Sequence, residues 1–312
     1  MNHEPLTNMI KLLFNYLIFP GFLFAATAGL FACWLDRKIS ARLQWRVGPP
    51  WHQNFTDIFK LLGKETIVPQ GVRATFLIAP CIGLLSVVLV AAILGQAIIS
   101  PAPGFSGDLI VVIYLLTIPP ISSVIGAFAS RNPLASIGAS REIKMIIAYE
   151  LPFLLAVVAV IVKSAGAIKF SGILEHQANF HSTALSLSGI LALIVCIFSV
   201  QAKLGFAPFD ISEAEQELMA GVLIEYSGAA LAVFKLTKAI MLYTLPVLLT
   251  VLFLGKDISA GFLVPKFLLF LIIAVLIKNT NPRLRVDQAV RFFWRLPLVL
   301  ATAAVIAAVF GF

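Results

Sequence analysis

The sequence predicts an all-α polytopic membrane protein, a single integral membrane domain over residues 1–312. Three observations carry this. Of the 312 residues, 60% are hydrophobic and 12% charged, where soluble domains run at about 45–50% and about 25%. Mean hydropathy is +0.99. Eight apolar runs are each long enough to cross a bilayer core, which takes roughly 20 residues. No stretch alternates at period two, which excludes a transmembrane β-barrel. Composition likewise excludes a soluble enzyme, a disordered chain and a disulfide scaffold.

The runs lie at about 9–35, 74–100, 109–130, 143–163, 184–202, 228–254, 262–278 and 294–312. The first is too long for a cleaved leader, and no small-residue cleavage site precedes Asp36, Arg37 and Lys38. Connections at 36–73, 131–142, 203–227 and 279–293 alternate with those on the opposite face. Sixteen of the 23 Lys and Arg fall in or beside these four, five lie on the other side, and Lys235 and Lys238 fall within the sixth run. The positive-inside rule therefore makes the four basic connections cytoplasmic and puts both termini outside, in a multi-pass plasma-membrane topology. An odd number of spans would split the basic loops between faces, so the tally supports eight. The formal charge of +8 thus reports orientation, and no nucleic-acid partner is expected.

The first connection is amphipathic as well as basic. Ile58, Leu61 and Leu62 share a helical face, with Asp57, Lys60 and Lys64 off it, which predicts a helix lying along the membrane surface. It serves either as a lipid-headgroup anchor or as a docking platform for a cytoplasmic partner. The connection at 203–227 is the reverse. Asp210, Glu213, Glu215, Glu217 and Glu225 are five of the chain's 15 acids. Phe, Leu, Met, Val and Ile surround them, and only Lys203 opposes them. Burial and like-charge repulsion both favour the protonated form of crowded carboxylates, which makes the segment a candidate proton relay. Pairing with basic groups on the same face is the alternative. Glu150, two turns into the fourth run and just before Pro152, and the pair Lys235 and Lys238 are ionisable groups within spans, where a central charge costs about 2.5–3.5 kcal/mol or more. An internal salt bridge for Glu150 and snorkelling for the lysines are the plain readings.

Cys33, Cys81 and Cys196 lie in apolar runs without ligand spacing, and the four histidines are scattered, so no metal cluster or haem is expected on this chain. Phosphate loop, nucleophile triad and zinc helix motifs are missing. The residues alone leave an ion transporter and a subunit of a redox machine both open.

Four stretches resemble a known family. DRKISARLQWRVGPP (36–50), followed by DIFKLLGKE (57–65), resembles the first cytoplasmic loop of the membrane subunit that carries the quinone tunnel in respiratory complex I, NADH dehydrogenase subunit 1. SREIKMIIAYELPF (140–153) is similar to its Glu-bearing span, APFDISEAEQELMAGVLIEYSG (207–228) to its acidic signature, and NPRLRVDQAVRFFWRLPLVL (281–300) to its last loop. Together they cover about a quarter of the chain, in the family's order. Two departures point to a branch. The shortened Gly48-Pro49-Pro50 stretch resembles the homologous subunit of group 4 membrane-bound NiFe hydrogenases and of the membrane-bound sulfane sulfur reductase. Lys238 stands where complex I members usually carry a Glu.

The resemblance implies a non-catalytic membrane anchor that links a hydrophilic redox arm to H⁺- or Na⁺-translocating, antiporter-like subunits. It implies iron–sulfur clusters, and in one branch a NiFe site, in partner subunits, with no cofactor on this chain. A quinone-binding subunit of a complex I relative is the alternative. The implied relay is Glu150, Asp210, Glu213, Glu215, Glu217, Glu225, Lys235 and Lys238. The implied dock and cavity wall is Asp36, Arg37, Lys38, Arg42, Arg46, Asp57, Lys60, Arg283 and Arg285.

Overall fold

Apolar side chains on nearly every face of the long segments leave the backbone no water to bond with, so each satisfies its own N–H and C=O groups as a helix. The computed structural model describes residues 13–69, 73–99, 107–213, 215–257 and 259–311, all helix, turn or coil. The helices are α1 (Phe22–Leu43), α2 (Gln53–Leu62), α3 (Arg73–Ile99), α4 (Asp108–Ala129), α5 (Pro133–Lys163), α6 (Phe170–Asn179), α7 (Leu187–Lys203), α8 (Glu215–Leu218), α9 (Gly228–Phe253), α10 (Ala260–Thr280) and α11 (Val286–Val309). Among the described residues, seven stretches are long and apolar enough to span a membrane: Leu13–Leu43, Ala74–Ile99, Asp108–Ala129, Pro133–Lys163, Gly228–Phe253, Gly261–Thr280 and Val286–Val309. The apolar α7 has 17 residues, the short end of the usual spanning range. With it the count reaches the eight expected.

Several boundaries differ from the sequence reading. α5 starts at Pro133, not near 143, because Asn132 caps it: its side chain accepts a hydrogen bond from the Leu134 N–H, and Pro133 fills the first turn. The expected 131–142 loop thus shrinks to a turn. α1 continues through its charged residues to Leu43; a polar residue ends an apolar run but not a helix. α11 likewise begins at Val286 rather than 294, and the 164–183 connection holds the short helix α6.

α9 is the central column, buried over most of its length and packed against α1, α2, α3 and α10. Its C-terminal end is capped from two sides. The buried Gln177 of α6 donates to the Val251 and Leu252 carbonyls, both at 3.0 Å, and accepts from the Gly255 N–H at 2.7 Å. Lys266 of α10 donates to the carbonyls of Leu254 (2.8 Å), Lys256 and Asp257 (3.2 Å). At the N-terminal end, Gly228 (φ +56°) brings the start of α9 against the Lys64 and Glu65 carbonyls, too close for a Cβ. This joins the first connection to the acidic one. Tyr226 fixes the end of the acidic connection: its ring stacks on Phe76 at 4.0 Å, and its hydroxyl donates to the Phe76 carbonyl at 3.1 Å. Burial pushes its phenol up, so it stays a donor.

Candidate functional site

Because α1 remains helical past its apolar run, Asp36 is carried into the packed end of the bundle and buried. A buried carboxylate requires a partner. Lys278, at the end of α10, supplies it at 2.8 Å, with its ammonium 4.3 Å from the centre of the Phe206 ring. One residue on, Arg37 meets Asp57 of the surface helix α2 at 3.4 Å; this half-exposed pair contributes about 0–1 kcal/mol. In the connection after α7, Asp210 pairs with Arg283 at 2.7 Å, and Glu213 pairs with Lys238 of α9. These four pairs border one open cavity of about 560 Å³ between the C-terminal ends of α1 and α10, the N-terminal part of α9, α2 and the 204–213 segment. Lys235 lines the same wall, with no ion pair among the described residues.

A second, smaller pocket of about 50 Å³ lies behind it, large enough for water. Glu213 and Lys238 line both spaces. The smaller one adds Ser212, Glu142 and Lys203. Ser212 lies beside the Glu142 carboxylate. Lys203, its side chain wholly buried, pairs with Glu150 at 2.5 Å and lies 5.1 Å and 4.8 Å from the ring centres of Tyr149 and Phe153. Ionisable groups therefore follow one another from the cavity through Glu213 and Lys238, past Glu142 and Lys203, to Glu150 in the middle of α5.

The sequence left Lys203 alone to oppose the acidic connection. The fold instead gives Lys203 to Glu150 and provides the acids with separate partners. Besides Asp210 and Glu213, Glu217 pairs with Arg141 at 2.5 Å, and Glu225 accepts a 2.6 Å hydrogen bond from the Asn132 amide. The Glu215 side chain lies outside the described residues. Of the docking candidates, Asp36, Arg37, Asp57 and Arg283 line the cavity. Lys38 donates to the Val47 carbonyl at 3.1 Å and, with the 3.2 Å bond from the Trp34 indole N–H to Pro49, folds the 44–50 loop back on α1. Arg42, Arg46, Lys60 and Arg285 are exposed.

Three contributors escape the sequence reading. Glu142 falls in a solvated loop when α5 is started too late; on the observed helix it lies two turns before Glu150 on roughly the same side. Lys278 enters only the charge tally, since nothing local ties it to Asp36, 242 positions away. Ser212 carries no signal beyond its acidic neighbour.

A bundle of membrane-crossing helices with an ion-paired cavity at one end and buried charges leading inward defines a polytopic membrane protein with a charged route into its interior. The chain belongs to the NADH dehydrogenase family, whose model matches residues 15–309. It is 34% identical to the H subunit of the NADH-quinone oxidoreductase of Thermomicrobium roseum, over 93% of this chain and 94% of that one, and 32% identical to its counterpart from Anoxybacillus flavithermus, over 88% and 87%. A structure of the membrane-bound sulfane sulfur reductase, an archaeal respiratory membrane complex, superposes with a TM-score of 0.86 at 27% identity, covering 96% of this chain and 99% of that one.

Proposed function

We propose that this chain is the non-catalytic anchor and coupling subunit of an energy-converting complex of the membrane-bound hydrogenase or sulfane sulfur reductase kind. The cavity faces the cytoplasm, with both termini outside. An iron–sulfur small subunit and a large subunit of NiFe type dock over the cavity, with exposed Arg42, Arg46 and Lys60 beside it. Antiporter-like subunits stand alongside in the bilayer. The observation that carries this reading is the unbroken order of charged pairs between the two spaces and Glu150. A redox step above the cavity changes local charge. Glu213 and Lys238 respond by exchanging a proton or shifting their contact, Glu142 and Lys203 pass the change on, and Glu150 presents it to the neighbouring subunits, which move H⁺ or Na⁺.

The second reading, a quinone-binding subunit, is favoured by the identities of 30–34% to quinone oxidoreductase subunits and by a cavity of about 560 Å³, within the usual range for a small-molecule site. Two measurements decide. Isolation of the chain from its native membrane should bring iron–sulfur partners with it; recovery of a stable, ion-transporting chain alone would contradict the anchor role. Redox-driven ion uptake should persist in quinone-extracted membranes; strict dependence on added quinone would transfer the case to the second reading.

A further inference from the structure

We propose that a cleft between the starts of α5 and α11 holds the phosphate of an anionic phospholipid, with Lys144 and Arg285 as its charge partners. The cleft measures about 510 Å³ and is separated from the central cavity by the Asp210–Arg283 pair, which lines both. Two of its four bases are engaged within the protein, Arg141 with Glu217 and Arg283 with Asp210. Lys144 and Arg285, both exposed, form no ion pair among the described residues, and only Asp287 on the wall stands against them. The surplus is cationic, on the side of the bundle that carries most of the Lys and Arg.

The depth of the cleft indicates a lipid source for the phosphate. α5 has 31 residues, about 46 Å at 1.5 Å each, well beyond the hydrocarbon thickness of about 30 Å. Lys144 lies at the edge of its apolar portion. On α11, half-exposed Trp294 lies two helical turns beyond the wall residue Asp287, the depth at which aromatic residues meet the headgroups. Further in, on the face of α5 that carries Lys144, Ile147 and Leu151 are exposed, an apolar ledge for acyl chains. A free phosphate would meet the same two cations but gain nothing from that ledge. Basic pockets between helices at the cytoplasmic interface suit anionic headgroups for this combination of charge and depth.

The test uses the purified, delipidated complex titrated separately with cardiolipin, phosphatidylcholine and inorganic phosphate, with bound lipid counted by native mass spectrometry and stability followed by thermal unfolding. Cardiolipin should bind in preference to phosphatidylcholine and stabilise the complex. The Lys144→Gln, Arg285→Gln double variant should weaken it about 30-fold, the equivalent of roughly 1 kcal/mol for each base near a lipid surface. Lys144→Arg should keep the affinity, and Lys64→Ala, an exposed base outside the cleft, should leave it unchanged. Wild-type cardiolipin binding by a folded double variant would overturn the proposal. Equal stabilisation by inorganic phosphate would overturn its lipid source.

Discussion

Removing the carboxylate of Glu150 leaves the Lys203 ammonium with no anion in a site where its side chain has no solvent contact. Breaking a buried pair from one side costs about 3–5 kcal/mol. Glu150 keeps 18% of its side chain exposed, and the neighbouring Tyr149 and Phe153 rings offer the cation some compensation, so the expected loss for Glu150→Gln is about 3 kcal/mol. Lys203→Met removes the cation and leaves the carboxylate; because Glu150 can reach solvent, about 1–2 kcal/mol is expected. The double variant should be less destabilised than the sum, with a coupling of about 2 kcal/mol. Denaturant titration of the four proteins in detergent reads this cycle directly. Additivity within about 0.5 kcal/mol would show that the two groups do not depend on each other, and the pair could not then act as the inner end of a charge route.

Two further outcomes follow from the packing. Gln177→Leu strips three hydrogen bonds from the C-terminal end of α9 and should cost about 2–4 kcal/mol, seen as a lowered unfolding midpoint; a loss under about 0.5 kcal/mol would mean that Lys266 caps this end unaided. Gly126→Ala places a Cβ 2.1 Å from the Tyr226 hydroxyl, so it should dislodge the ring from Phe76 at about 1–3 kcal/mol, with a change in near-ultraviolet circular dichroism; an unchanged spectrum would contradict the clamp described for Tyr226.

The fold was largely legible because bilayer thickness acts on local sequence. Eight runs and the Lys/Arg imbalance are one-dimensional signals, and α2 announced itself through Ile58, Leu61 and Leu62. Helix ends were less legible, since apolarity marks the membrane boundary and not the end of hydrogen bonding: Asn132 and Pro133 carried the true start of α5, and α1 ran on through Asp36, Arg37 and Lys38. The charged residues of the site were visible by their residue type in an apolar setting. Their pairing was not. Asp36 with Lys278, Glu225 with Asn132 and Glu217 with Arg141 join segments far apart in the chain, and no local pattern encodes which carboxylate takes which cation.

The central claim is that charge moves between the cavity and Glu150 along side chains of this subunit. Its most direct measurement is the number of ions taken up per electron transferred by the assembled complex in sealed vesicles, compared for wild type, Glu142→Gln and Glu150→Gln. The expected result is a retained redox rate with the ion-to-electron ratio lowered by more than half in both variants. A ratio equal to wild type, in variants shown to be fully assembled, would remove these residues from the coupling path.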